Sequence, residues 1–258
     1  MVSIQVQPGN ALGNTLLLLQ KSVLLHSGFD ASALAKKICG HQYDGLLVVD
    51  ASKGEGVPVE VVIWNRDGSS GGACLNGLRL VARWTKKKSG QLKMDGRILD
   101  WRIVGDEVEL HLHGRDMPKE MQLAMVVTAG GPGLSVPFWN PHCVVPVADV
   151  GAANLSLIAE SARAVKIYFP AGANVEVVSE DGPGRVRMRV DERGVGETQA
   201  CASGAVAVAL SAWGGGLEGP LMVAMPGGEL RLARAEDGGI KLRGDAFLTE
   251  EVSFFVDS

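Results

Sequence analysis

Alternation of apolar and polar positions governs most of this chain. The segment RVRMRV (185–190) places Val186, Met188 and Val190 on one face, the period of a half-buried strand. GLLVVD (45–50), VEVVIW (59–64), CVVPV (143–147) and NVEVVS (174–179) predict further strands, as does the stretch near 121–128. Residues 2–6 and 16–25 read as strands around a Gly/Asn loop, GNALGN. Within the second, LLLLQKSVLL reads as a buried strand or hairpin, too short and too interrupted to span a bilayer. Residues 91–113 alternate and turn at Asp95-Gly96 and Gly105-Asp106, the pattern of a meander. Gly/Pro-rich stretches at 51–58 and 129–141 read as loops. The late strands are divided at Pro226-Gly227-Gly228 and Asp237-Gly238-Gly239, and residues 247–258 close the chain as another strand.

The helical signals are fewer. Asp30 suits the N-cap of ASALAKKIC, which ends at Gly40. Another helix is predicted near 151–164, and one from Cys74 to about Lys88. AVAVAL (205–210) is apolar all round, as a buried helix is. Each half of the chain is thus mostly strand around one apolar helix. The fold predicted is α+β, with two pseudo-symmetric domains, each a curled, mostly antiparallel sheet around a central helix. The boundary is placed where the pattern lapses at 114–120, giving residues 1–116 with Cys74 and 117–258 with Cys201. The last strand, about 247–258, is free to pack back on the first domain.

The halves also match residue by residue. An offset of 127 residues lays Cys74 on Cys201, Ala73 on Ala200, Gly77 on Gly204 and Arg66 on Arg193. Each Cys follows a strand and a Gly-rich turn and opens a helix. The N-terminal amides and dipole of that helix favour a thiolate. A lone Cys among Ala and Val also reads as a small core residue. The second copy at the same offset favours chemistry, and an old duplication whose two helix N-termini face a common cleft.

Composition excludes several classes. At 258 residues with 46% apolar content the chain can bury a substantial core. A net charge of −4 argues against nucleic-acid and anionic-membrane partners. The one basic run, Lys86-Lys87-Lys88, reads as the complement of a helix C-terminus. No secretory pattern opens the chain, so a cytoplasmic, reducing compartment and free thiols are expected. The four cysteines (39, 74, 143, 201) show no CxxC spacing, which argues against structural zinc. Cys39 and Cys143 read as structural.

Two thiols on opposite walls of a cleft suit removal of a proton from one face of a carbon and return of one to the other. When that carbon lies alpha to a carboxylate, charge grows on the carboxylate, and preorganised N–H donors stabilise it. The helix N-termini at Leu75-Asn76-Gly77 and Ala202-Ser203-Gly204 would supply such donors in duplicate. No motif for a pyridoxal lysine, a metal or another cofactor is present.

The chain resembles the diaminopimelate epimerase family of cofactor-independent, two-cysteine racemases. The resemblance rests on LGN (12–14), Tyr43-Asp44, NRDGS (65–69), ACLNGLR (73–79), WNPHCVV (139–145), ANV (173–175) and ERGVGETQACASGA (192–205), in family order over nearly the whole chain. It implies that Cys74 and Cys201 are base and acid, with the amides of Leu75, Asn76 and Gly77 and of Ala202 and Ser203 on the reacting carboxylate. It further implies Asn65, Asn140, Asn174 and Arg193 at the distal end of a small amino-acid substrate, and Asn14, His142 and Glu192 at the reacting end. Thr15, Gly45, Leu75 and Ala202 depart from the family's usual residues. The activity implied is interconversion of LL- and meso-diaminopimelate. A racemase for histidine, proline or hydroxyproline, or an inactive amino-acid-binding protein on the same fold, stands as the alternative, and a homodimer is left open.

Overall fold

The structure, a computed structural model, describes residues 1–54, 56–118 and 124–257. The start of the strand expected near 121–128 and the end of the lapse at 114–120 fall outside those residues. The chain divides into two compact units: residues 1–112 with the segment from Gly244 onward, and residues 113–243.

The first unit runs β1 (Val2–Ala11), β2 (Asn14–Gln20), α1 (Lys21–Ser27), α2 (Ala31–Ile38), β3 (Gly45–Asp50), β4 (Val59–Asn65), α3 (Leu75–Trp84), β5 (Ser89–Met94), β6 (Arg97–Val104) and β7 (Glu107–Leu112). The tail adds β17 (Phe247–Leu248) and β18 (Val252–Val256). Strands pair in the order β18, β1, β2, β3, β4, β5, β6, β7, parallel at β2–β3 and β4–β5 and antiparallel elsewhere. Helix α3 packs against β1, β2, β5, β6, β7 and β17, so the sheet wraps around it. On the opposite side, Leu34, Ala35 and Ile38 of α2 join Ile4, Leu17, Leu19 and Leu46 in a second core.

The second unit opens with a 3-10 turn (Gly114–Asp116) and continues β8 (Ala124–Thr128), β9 (Gly131–Phe138), β10 (Asn140–Pro146), α4 (Leu155–Ala164), β11 (Asn174–Glu180), β12 (Arg185–Glu192), β13 (Gly196–Thr198), α5 (Ala202–Gly214), β14 (Leu221–Met225), β15 (Gly228–Arg234) and β16 (Ile240–Gly244). Its order is β8, β9, β10, β11, β12, β14, β15, β16, with β13 on one end of β12. The parallel pairs are β10–β11 and β12–β14, the counterparts of β2–β3 and β4–β5. Helix α5, buried on nearly every face, packs against β9, β10, β11 and β15. The repeat in the sequence is therefore a repeat of pairing sense and of helix placement. The α+β fold of sheets curled around central helices is as the apolar pattern predicts. Among the described residues no helix is long and apolar enough to cross a membrane.

Four local readings change. GNALGN is not a loop: Gly9 and Asn10 stay in β1, and only Leu12-Gly13 turn, at φ of 56° and 81°. Gly9 is needed there because a Cβ would lie 2.8 Å from Leu80 Cδ2 of α3. LLLLQKSVLL is a strand only to Gln20; polar Lys21 and Ser22 open α1, and Val23 and Leu24 rest on the α2-side core. The Gly/Pro stretch at 129–141 is not a loop but carries β9 and the start of β10, because Pro137 and Pro141 oppose each other at a rung where neither N–H is required. Finally, α3 stops at Trp84 and Lys86 turns at φ 56°, so the Lys86–Lys88 run lies past the helix rather than in its last turn.

Candidate active site

Each central helix begins at a cysteine that ends an extended segment, Cys74 with φ −136° and ψ 97°, and Cys201 with φ −127° and ψ 108°. An N-cap residue commonly uses its side chain to accept from a first-turn amide, one of the donors the helix leaves without an internal acceptor. Cys74 does this through sulfur: Gly77 N–H donates to Sγ at 3.2 Å. The Gly residues let each helix start close against the sheet. A Cβ on Gly77 would lie 2.9 Å from Leu47 Cδ2, and one on Gly204 2.6 Å from Glu176 Oε1.

Around half-buried Cys74, the Sγ lies 3.9 Å from Asn14 Oδ1. Asn14 Nδ2 donates to Asp44 Oδ2 at 3.0 Å, and Thr15 N–H donates to the same oxygen at 2.8 Å. Asp44 in turn pairs with Arg66 at 2.6 Å. Thr15 thus serves as a second clamp on Asp44. Gly45, the neighbouring departure from the family, is required by the sheet, since a Cβ would meet the Trp64 carbonyl at 2.5 Å. Asn65 Nδ2 donates to Ser69 Oγ at 2.9 Å. Leu75 and Asn76 are buried, and Asn76 Oδ1 accepts from Arg79 Nη2 at 3.1 Å. Arg79 is fully buried, donates through Nε to the Asp245 carbonyl at 3.3 Å, and has Nη1 without a hydrogen bond. Burial lowers its pKa to about 10.

Cys201 sits in a different environment. It is buried, 3.4 Å from Ser203 Oγ, next to buried Ala202. Glu192 accepts from Thr198 Oγ1 at 2.6 Å, and burial raises its pKa while bonds from Thr198 and Cys201 oppose the rise. His142 and Glu176 are wholly buried and joined, Nδ1 to Oε1, at 2.7 Å. Burial first, then the Glu192 and Glu176 carboxylates, push the Cys201 thiol well above its ordinary range, against smaller pulls from Ser203 and the Gly204 amide. The pull of the helix N-terminus toward a thiolate, expected from the sequence, is therefore opposed at Cys201 by burial and by two neighbouring acids. The dipole contribution is smaller than the cost of a charge that is buried beside two acids.

Asn174 is buried and its Oδ1 accepts from Arg193 N–H at 2.9 Å. The Arg193 side chain is exposed and, among the described residues, donates only to the Ala171 carbonyl, at 3.3 Å, whereas its counterpart Arg66 is tied to Asp44. Asn140 begins β10, directly before Pro141 and His142. Cys39 and Cys143 are buried away from these groups in the two helix-backed cores, and burial pushes them up to about 11 and about 12. In the first unit, Asn14 and Asn76 thus gather near Cys74. In the second, His142, Glu192 and Ser203 gather near Cys201. Glu176 and Arg79 were given no role from sequence, although a charge in an apolar strand and an Arg in a buried motif were visible.

Comparison with known proteins follows the same lines. The sequence profile described as diaminopimelate epimerase matches residues 136–248. The chain is 34% identical over 227 residues to the diaminopimelate epimerase of Xanthomonas euvesicatoria pv. vesicatoria (strain 85-10), covering 78% of each. It is 36% identical over 227 residues to that of Corynebacterium glutamicum (strain R), covering 80% of this chain and 81% of that one. A phenazine biosynthesis protein of the PhzF family from Enterococcus faecalis superposes with a TM-score of 0.70 over 99% of this chain and all of the other; at 12% identity it shares the fold. Fold and relatives together define an amino-acid epimerase. Within that class, the chain belongs to the diaminopimelate epimerase family.

Proposed function

We propose that this protein inverts the alpha carbon of an amino acid by a two-base mechanism, and that its substrate pair is LL- and meso-diaminopimelate, on the route to lysine and peptidoglycan. The observation that carries the reading is the pair of cysteines that cap equivalent helices in equivalent units. One cysteine, as thiolate, takes the alpha proton from one face; the other, as thiol, returns a proton to the opposite face. Two protons are exchanged and no bond other than C–H and S–H changes. Burial and the neighbouring acids, which hold the proton on Cys201, support its assignment as the thiol of the resting pair. First-turn amides at Leu75–Gly77 and Ala202–Ser203 stabilise the charge that grows on the substrate carboxylate. Asn14, His142 and Glu192 contact the reacting end.

Substrate choice rests on the distal end. Diaminopimelate carries a second carboxylate and a second ammonium there. Arg193, which no acid of the described residues ties down, is the cation for the first, with Asn65, Asn140 and Asn174 as oxygen acceptors for the second. The test is incubation with LL-diaminopimelate in deuterated water, followed by kcat/KM for diaminopimelate, lysine, histidine and proline. Alpha-deuterated product of opposite configuration is expected, with diaminopimelate strongly preferred. Arg193→Met should lower kcat/KM for diaminopimelate at least ~10-fold, since a charge-assisted bond contributes roughly 1.5–3 kcal/mol. Preference for histidine or proline would overturn the substrate assignment.

A further inference from the structure

The duplicated fold contains its own control for what the scaffold requires. Leu47 of β3 opposes Ile63 of β4, and Glu176 of β11 opposes Val190 of β12; the two β partners are related by the same 127-residue offset as the cysteines. Leu16 opposes Gly45, and His142 opposes Asn174, in the corresponding parallel pairs. The glycine three residues after each cysteine reports the same equivalence. Gly77 rests on Leu47 and Leu16, and Gly204 rests on Glu176. At one pair of positions, then, the first unit has two leucines and the second a fully buried His–Glu pair. The fold is satisfied by leucine. A buried ion-forming pair contributes little to stability over an apolar one, so its presence needs another reason.

We propose that Glu176 is a positioning residue of the Cys201 half-site, which accepts Nδ1–H of His142 and so fixes the imidazole with its Nε2 lone pair unengaged by protein. The inference deepens the two-thiol reading and rests on it for the importance of Cys201. Nε2 of His142 and Oε2 of Glu176 are both buried without a hydrogen bond, so the pair is held at one contact and open at each far end. Imidazole placed by a carboxylate in this way keeps one tautomer and one orientation. The titratable groups beside the pair are Glu192 of β12 and Cys201 of α5, while Cys143, the next residue of β10, lies on the opposite face of the sheet in the α4-backed core. Removal of the Glu176 charge removes one of the two carboxylates that hold the Cys201 proton on.

Two variants and one spectrum test this. Glu176→Gln preserves shape without charge, and Glu176→Leu copies the first unit. In a Cys74→Ser background, the far-ultraviolet thiolate absorbance of Cys201 should titrate about one pH unit lower, or more, in Glu176→Gln. Cys39→Ser and Cys143→Ser in the same background remove the two other thiols, which burial pushes up to about 11 and about 12 and which would otherwise titrate alongside Cys201. With Cys74 present, kcat should fall at least about tenfold while KM stays within about threefold. In the wild type, long-range proton–nitrogen correlation should show the His142 proton on Nδ1. A folded Glu176→Gln or Glu176→Leu protein with wild-type kcat and an unmoved Cys201 titration would overturn the proposal. So would a wild-type His142 without a proton on Nδ1. The titration and the spectrum use no substrate, so they stand or fall apart from the choice of diaminopimelate.

Discussion

The two half-sites differ far more than their shared backbone suggests. Both put a cysteine at the N-cap of a central helix, with a glycine three residues on pressed against the sheet. Behind Cys74 lie Leu16 and Leu47, and one turn along the helix a buried guanidinium, Arg79. Behind Cys201 lie Glu176, Glu192 and His142. The two units share the frame and differ in the buried charges behind the cysteine, a guanidinium in the first and carboxylates in the second. Matched thiols in unmatched fields are what the proposed two-thiol exchange needs, since in it one must give while the other takes.

The largest expected effect breaks the symmetry outright. Cys74→Ala and Cys201→Ala should each lower epimerisation by ~10²–10⁴-fold or more, the usual contribution of a positioned acid or base. Full activity in either variant, measured as interconversion of diaminopimelate isomers, would end the two-base reading. Next comes a transplant of one half's polarity into the other. Leu47→Glu buries a carboxylate under Gly77 with no histidine to meet it, and should destabilise the protein by about 3–5 kcal/mol in urea denaturation. Leu16→His in the same chain should restore part of that loss. If Leu47→Glu is neutral, the first unit is more open to charge than its leucines imply.

Alkaline stability compares the units through their structural thiols. A thiol with a folded pKa above its unfolded value of about 8.5 stays neutral in the native state while the unfolded chain ionises. The unfolded state then binds fewer protons, so stability is full below that pH and falls as pH rises, by about 1.4 kcal/mol per unit for each such group. Cys39 should contribute this loss up to about 11 and Cys143 up to about 12, with Cys201 adding to it. Denaturation midpoints from pH 8 to 11 should therefore fall, and less steeply in Cys39→Ala or Cys143→Ala. The smallest effect is expected at Arg66. Its pair with Asp44 is partly exposed, so Arg66→Met should cost under ~1 kcal/mol in thermal unfolding, unlike the loss of activity expected for its counterpart Arg193.

Much of this was legible in the chain. Period-2 runs and Asp-Gly or Gly-Gly turns marked β5–β7 and β14–β16, because a strand with one dry face must alternate. Asp30 marked the start of α2, where its carboxylate accepts from Ser32 and Ala33. The cysteines and their helices were legible from the repeat. The Pro-rich strand β9 was not, because proline's place in a sheet depends on which rung it occupies, and rungs are set by the partner strand.

The tetrapeptide VEVV, which occurs twice, divides what the sequence determined from what the fold decided. Both copies are strands, as their composition requires: residues 59–62 begin β4 and residues 175–178 lie in β11. Glu60 lies at the edge of solvent between Lys53 and Lys93, each 3.1 Å away. Glu176 is wholly buried against His142 and Gly204. Local sequence sets the strand because backbone geometry and alternation are local. Which face of that strand turns to the central helix, and what waits there to meet a carboxylate, depends on residues tens of positions away, and only their assembly fixes it.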